Sequence, residues 1–481
     1  MPASRKTVTR DNLMALGPER LAAILVELAD GNAEVKRRLR LELAAQEGGD
    51  NIAAEIGKRI AALKSARSFV DWQKRREFVR DLDQQRAMIA DRVVPLRPDL
   101  ALDLMWRFLD LAEPVLNRVD DSTGSVADVF RLACEDLGVI AVKARPDPVG
   151  FADQVLAALL ANQYGICDGL VPVVLPALGD MGAAHLRSRL AQVLADRKAS
   201  GRDGRADTAR RALQNIADGQ ADVDAYIALV PITERSRPHT GAEIGRRLLA
   251  AGRAAEALAA LEAARPKQRA VRARDDDLYV SGYGDGGSVW EEAYIEALDA
   301  TGQPEQAQQL RWAVFEEQLS STQLRAYLKQ LPDFDDMEAE NRAMHHALGF
   351  RSFSAALHFF KEWPDQAHAA QLVLTRVPEI DGNLYFLLDP AAQLIEGKYP
   401  LAATLLRRAM IEDTLEGAKS TRYKHAVRHL LECAAIASSI QDFGVCETHE
   451  GFVARLRARH SRKIGFWTQV AERASGGGRR R

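Results

Sequence analysis

Apolar residues recur at intervals of three and four along almost the whole chain, and that spacing limits what it can fold into. Leu21, Ile24, Leu25 and Leu28 follow it, as do Ile52, Ile56, Ile60 and Leu63, and again Leu102, Met105, Trp106 and Leu109. At 3.6 residues per turn such positions share one face of a helix, and that face has to be hidden against another element. The two-residue alternation of a half-buried strand is missing. Alanine, leucine, arginine and glutamate, all strong helix formers, recur throughout. The expected class is all-α.

Turn residues divide the pattern into helices. Gly17-Pro18 opens a helix over 18–28, with proline where its missing N–H does no harm. Asp30-Gly31-Asn32 separates it from a second helix over 33–45 carrying Val35, Leu39, Leu41 and Leu43, which makes an antiparallel hairpin. A helical pair is expected over 52–91, broken near Ser65 and continued by Phe69, Trp72 and Phe78. One helix is expected over 99–116, after Pro98. Asp120-Asp121-Ser122-Thr123-Gly124 reads as a turn, and helix resumes at Val126. Pro146-Asp147-Pro148 precedes a helix with Phe151, Val155 and Leu159, and Pro172 and Pro176 kink or divide the next one before a helix over 184–194. The charged stretch 197–207 reads as a domain boundary or a long loop, and 277–285 as a loop able to sit on a binding face.

The second half carries weak repetition. Gly252, Gly302 and Gly397 are each followed by alanine five positions on (Ala257, Ala307, Ala402) and then by leucine (Leu261, Leu310, Leu405). The physical reading is a helix ended by a left-handed glycine, then a second helix approaching closely over a small alanine. The glycines are 50 and 95 residues apart, unlike a regular 34-residue array. The expected architecture is a right-handed α-solenoid of irregular tetratricopeptide-like or HEAT-like repeats. Its regions are a hairpin over 1–48, helical regions over 49–198 and 199–345, a C-terminal helical region over 346–470 with a basic surface, and a basic tail over 471–481.

Charge is uneven. The chain of 481 residues has a formal net charge of -2, yet residues 397–481 hold 16 Lys/Arg against 8 Asp/Glu. Four cysteines, none in a CxxC pair, are poor material for a disulfide framework and suit a reducing cytosol. The polar N-terminus and the lack of any apolar run of about 18 residues give neither a signal peptide nor a membrane span, so a cytoplasmic protein is expected.

The search for chemistry finds no phosphate-binding loop, HExxH, GxSxG or EF-hand spacing. Asp275, Asp276 and Asp277 with Asp285 have the chemistry for magnesium, but clustered loop acids more often face water. His425, His429, Cys433, Cys446 and His449 have zinc-ligand chemistry. Cys433 lies eight residues past His425, about 12 Å along a helix, so both cannot readily hold one ion. Tyr423, Val427, Leu430, Ala434 and Ala437 read as the buried face of that helix, with His425 and His429 turned away from it. Cys446 with His449 lacks an orienting partner for a nucleophile. Trp290 and Tyr294, four apart, read as core packing. No catalytic residue, metal ligand or cofactor is assigned.

The basic C-terminal surface is the stronger clue. Arg422, Tyr423, Lys424, His425, Arg428 and His429 on one segment, and Arg455, Arg457 and Arg459 on the next, form the candidate binding set. Phosphates or an acidic protein suit such a patch. Arg428 also stands at the favourable four-residue spacing from Glu432.

The block over 399–470 carries a family resemblance. Its landmarks are Pro400-Leu401-Ala402-Ala403-Thr404-Leu405-Leu406-Arg407-Arg408, Ser420-Thr421-Arg422-Tyr423-Lys424-His425-Ala426, His429-Leu430-Leu431-Glu432-Cys433, His449-Glu450 and Gly465-Phe466-Trp467. It resembles the C-terminal part of an uncharacterised proteobacterial family of helical-repeat proteins, a domain of unknown function. The resemblance implies a bacterial, cytoplasmic, helical protein and brings no catalytic assignment. The expected function is a non-catalytic interaction scaffold with a protein partner. The alternatives are a nucleic-acid-associated protein using the basic helices and a metal-dependent enzyme of unfamiliar type.

Overall fold

The computed structural model describes residues 7–196, 204–266, 287–363 and 365–476. Among them the chain is helical, and its sole extended pairing is an isolated parallel bridge between Val70 and Val119. The chain divides into two compact units, Met1–Pro231 and Ile232–Arg481. The aspartates over 275–285 and the three terminal arginines lie outside the described residues.

The first unit starts with α1 (Arg10–Met14), α2 (Pro18–Asp30), α3 (Ala33–Glu47) and α4 (Gly49–Ser65). Pro18 occupies the first turn of α2, as its position predicts. After Ser65 the backbone extends to form the Val70 bridge. Asp71 then caps α5 (Trp72–Met88), accepting from the Gln73 and Lys74 N–H groups at 3.0 and 3.1 Å. The helix expected over 99–116 is two: α6 (Pro98–Leu109) and α7 (Ala112–Leu116). The acids of the 120–124 turn serve the backbone. Asp121 accepts from the N–H groups of Val126 and Ala127 at 3.0 and 2.9 Å, at the start of α8 (Ser125–Ala144).

Asp147 likewise caps α9 (Pro148–Leu160). The next helix, α10 (Leu170–Ala195), breaks at Gly179, where φ is 55° and ψ is -169°. Pro176 weakens the turn before that break, because it lacks a donor and crowds the preceding carbonyl. α10 packs on α8, α9 and α11 (Arg205–Gly219), and α12 (Val223–Leu229) follows. Most of the polar stretch 197–207 is outside the described residues, and the helices flanking it pack together within this unit. The core is built on Phe108, Phe130 and Phe151, all fully buried, and on Leu and Ile from α4 to α11.

The second unit starts with α13 (Ile232–Arg235), α14 (Pro238–Ala250) and α15 (Ala254–Ala263), and continues with α16 (Gly287–Ala300) and α17 (Pro304–Gln318). Gly252 and Gly302 both have φ of 73° and end α14 and α16 in the same turn. The N–H of Arg253 reaches Leu248 O at 2.8 Å, and that of Gln303 reaches Leu298 O at 2.9 Å, which closes each helix in a Schellman motif. Ala257 and Ala307 are fully buried beneath them. Gly397 does not repeat the device. Its φ is not positive, and Tyr399 N still bonds Ile395 O at 2.8 Å in ordinary helical fashion. Trp290 and Tyr294 do pack in the core, their rings stacked at 4.7 Å and the indole N–H bonded to Leu261 O.

The unit goes on through α18 (Ser321–Leu328), α19 (Asp335–Leu348), α20 (Phe353–Glu362) and α21 (Gln366–Thr375). It ends with α22 (Tyr385–Ile395), α23 (Pro400–Glu416), α24 (Tyr423–Ile436), α25 (His449–His460) and α26 (Ile464–Gly476). Ser320, Ser352, Asp365 and Thr448 cap α18, α20, α21 and α25. The cysteines are free thiols.

Candidate functional site

α23 is buried nearly all round, and it takes two adjacent arginines with it. Arg407 is only 2 % exposed. Its Nη2 donates to Glu396 at 2.5 Å, just past the end of α22, and its Nε donates to Glu432 of α24 at 3.0 Å. Glu432 Oε2 also lies 3.2 Å from His429 Nδ1, one turn away on the same helix. From α22, Asp389 faces them. Its Oδ2 accepts from Arg428 Nη2 at 2.7 Å and its Oδ1 lies 3.8 Å from His429 Nδ1. Arg428 Nε is 3.7 Å from Glu432 Oε1, the i,i+4 pair the sequence offered. Three carboxylates and two guanidinium groups thus form one network at the meeting of three helices, with a buried imidazole against Asp389 and Glu432.

The expected face of α24 needs correction. His429 is buried, and its pKa is lowered by that burial against the opposing pull of Asp389 and Glu432. Ala434 is exposed instead, and the buried seam runs through Tyr423, Ala426, Val427, Leu430 and Cys433. His425 is exposed, as its position predicts.

Arg408 turns to the other side of α23. It is buried and forms no ion pair among the described residues. Its Nη1 donates to the Glu447 carbonyl at 2.8 Å, and its guanidinium lies 4.6 Å from the Phe452 ring and 6.0 Å from that of Phe443. Ring faces take the place of a counterion, and burial lowers its pKa. The Cys433 thiol, fully buried beside both arginines, is pushed up to about 12 by burial, so it is neither a thiolate nucleophile nor a ready ligand near neutral pH. His449 Nδ1 is buried without a hydrogen-bond partner, and no hydrogen bond joins Cys446 to His449 among the described residues.

Carboxylates hold much of the basic candidate set. Arg455 pairs with Glu412 at 2.6 Å and Glu447 at 2.8 Å, and Arg459 pairs with Glu416 at 2.9 Å. Arg422 donates to Asn383 at 3.1 Å and lies over the Tyr385 ring, and Arg457 lies over Trp467. Tyr423 is a core residue packed on Phe466. Lys424 is exposed, with its carbonyl accepting from Arg473. Of the nine candidates, Tyr423 and His429 are therefore buried, and three of the six cationic ones, Arg428, Arg455 and Arg459, are paired with carboxylates. Sequence reasoning missed Asp389, Glu396 and Arg407. The His429-x-x-Glu432 spacing was the one local signal available for this cluster.

Two further features lie in the first unit. A cleft of about 450 Å³ opens at the α10 kink, lined by Pro172, Leu175, Gly179, Asp180, Asn215 and Asp218 among others, with no histidine, serine or cysteine in its wall. At the N-terminus, the stripe expected to be covered is not. Leu21 and Ile24 are half-buried, but Leu25, Val26 and Leu28 are exposed at 40, 61 and 56 %, and Ala29 is the only buried residue of α2. Leu13, Met14, Leu16 and Leu43 are also exposed on the neighbouring segments.

No match is found among curated proteins or among solved structures. A family model does match, over residues 3–469, and spans both compact units with nearly all the helices described above. The chain accordingly belongs to the family of unknown function DUF6880.

Proposed function

We propose that this chain is a non-catalytic protein-interaction scaffold of the bacterial cytoplasm. Its helices stack as an irregular right-handed solenoid, and its N-terminal hairpin receives an amphipathic helix from a partner protein. The uncovered apolar stripe of α2 carries the reading. Leu25 and Leu28 keep helical spacing with Leu21 and Ile24, so α2 is amphipathic, yet the side that ought to be hidden meets water. Apolar residues grouped on a monomer surface mark contact sites, and a ridge of helical side chains with no open strand edge suits another helix. Residues 1–48 carry eight basic and seven acidic residues, so apolar fit rather than net charge would select the occupant. The repeated glycine turns at 252 and 302 support the stacked arrangement. The nucleic-acid reading ranks behind, because Arg428, Arg455 and Arg459 already hold carboxylates.

The test is Leu25→Asp with Leu28→Asp in the full chain. Both side chains are exposed, so the fold should lose little. Wild-type protein should recover a specific partner from native lysate that the double variant does not. The same partners recovered by both proteins, or none by either, would refute the reading. A wild-type dimer that the variant dissociates to monomer, measured by light scattering, would make the occupant a second copy.

A further inference from the structure

We infer that Asp389, His429 and Glu432 form a binding site for a first-row divalent cation between α22 and α24. One ligand atom from each residue lies within 4.8 Å of the others, so the side chains need to draw in by only a few tenths of an ångström to share one ion at ordinary ligand distances of about 2.0–2.2 Å. A group of acids alone would carry little weight. Here a histidine 3 % exposed stands between the carboxylates, and Asp389 Oδ1 is buried without a hydrogen-bond donor. The other Asp389 oxygen is held by Arg428, so that carboxylate is oriented from behind, while Arg407 fixes Glu432 through Oε2, the oxygen that also faces His429. Such outer contacts fix ligands in metal sites.

Charge points the same way. Asp389, Glu396 and Glu432 face Arg407 and Arg428, which leaves one negative charge in excess. The Asp389 and Glu432 side chains are 21 and 33 % exposed, giving an ion and its waters a path in. One imidazole and two carboxylates suit manganese, iron(II) or zinc better than calcium, which prefers oxygen alone. This inference is independent of the N-terminal docking surface. The competing arrangement is a proton on His429 that bridges the two carboxylates and needs no ion.

The probe is Mn²⁺ added to metal-free full-length protein. Binding is followed by electron paramagnetic resonance, with electron spin-echo modulation used to detect an imidazole nitrogen on the ion. The expected result is one Mn²⁺ per chain, a nitrogen signal lost in His429→Gln, and affinity at least tenfold weaker in Asp389→Asn. Zn²⁺ titrated by calorimetry should compete for the same site. Asp389→Asn keeps the side chain's shape, and circular dichroism checks that it folds. No binding up to millimolar Mn²⁺, or binding unchanged by both substitutions, would overturn the site and leave the bridging proton as the account of the cluster.

Discussion

Replacing Arg407 by methionine tests how the C-terminal cluster is held together. Methionine keeps much of the apolar stem of the side chain but removes every donor. Glu396 and Glu432 then lose contacts of 2.5 and 3.0 Å with a group only 2 % exposed. Breaking a fully buried ion pair costs about 3–5 kcal/mol, mainly because one charge stays buried without a partner. An exposed pair contributes at most about 1 kcal/mol. The two carboxylates are 40 and 33 % exposed, so each regains part of its hydration and the expected loss falls between those limits, at about 2–3 kcal/mol. Hydrogen exchange on the full chain reads this locally. Slow amides of α22, α23 and α24 should exchange about 30- to 150-fold faster, at 1.4 kcal/mol per factor of ten. Adding Glu432→Gln should recover about 1 kcal/mol, because a neutral amide needs no counterion. Unchanged protection in these helices would refute the reasoning, since Arg407 would then be no more than a solvated surface charge.

Two glycines in the first unit should respond with opposite signs to alanine. At Gly138 a Cβ would sit 2.4 Å from the Val173 carbonyl oxygen, so α8 and α10 must separate. Overpacking of about 1–3 kcal/mol then exceeds the helix-propensity gain of up to about 1 kcal/mol, and Gly138→Ala should lower the melting temperature. At Gly57 the nearest atom is the end of the Arg107 side chain at 3.3 Å, which can move, so Gly57→Ala should raise it. A higher melting temperature for Gly138→Ala would mean that the two helices are not in that contact. A third expectation concerns pH. Burial, and then Arg408, lower the pKa of His449, while Glu450 opposes them. The unfolded chain takes up this proton near pH 6.5 and the folded chain only below that, so the stability His449 contributes is complete above about pH 6.5 and is lost as pH falls through the folded value. His449→Gln should therefore reduce the fall in melting temperature between pH 7 and 5.5. It should not abolish that fall, because His358 and His460 are shifted the same way. An identical pH profile in the variant would show that His449 is not buried as described.

The all-helical class was legible because its signals are local. Proline in the first turn of α2, α6 and α9, and the turn around Asp120 and Asp121, depend on residues a few positions apart and need no knowledge of the rest of the chain. Glycine gave only half of its message. Gly252 and Gly302 are left-handed and Gly397 is not, although all three sit in similar sequence, because whether a helix must stop depends on where its neighbour lies. The cluster was less legible still. Asp389 and His429 are 40 residues apart with the whole of α23 between them, and they meet only because α22 and α24 approach each other beside it.

Arg407 and Arg408 show what residue type alone leaves undecided. Arginine is expected at a surface, yet on a helix enclosed from all sides two consecutive arginines have no solvent to reach. Each finds a different substitute: Glu396 with Glu432 for one, and two aromatic rings with a carbonyl for the other. The reverse holds at α2, where the spacing of Leu25 and Leu28 established that an apolar face exists but not that this chain covers it. Periodicity fixes which side of a helix is apolar, and only packing decides what lies against it. Buried arginines and exposed leucines are therefore the places where sequence reading fails. They are also where this fold has something left to satisfy: an uncovered apolar stripe on α2, and an excess negative charge among the three carboxylates beside α23.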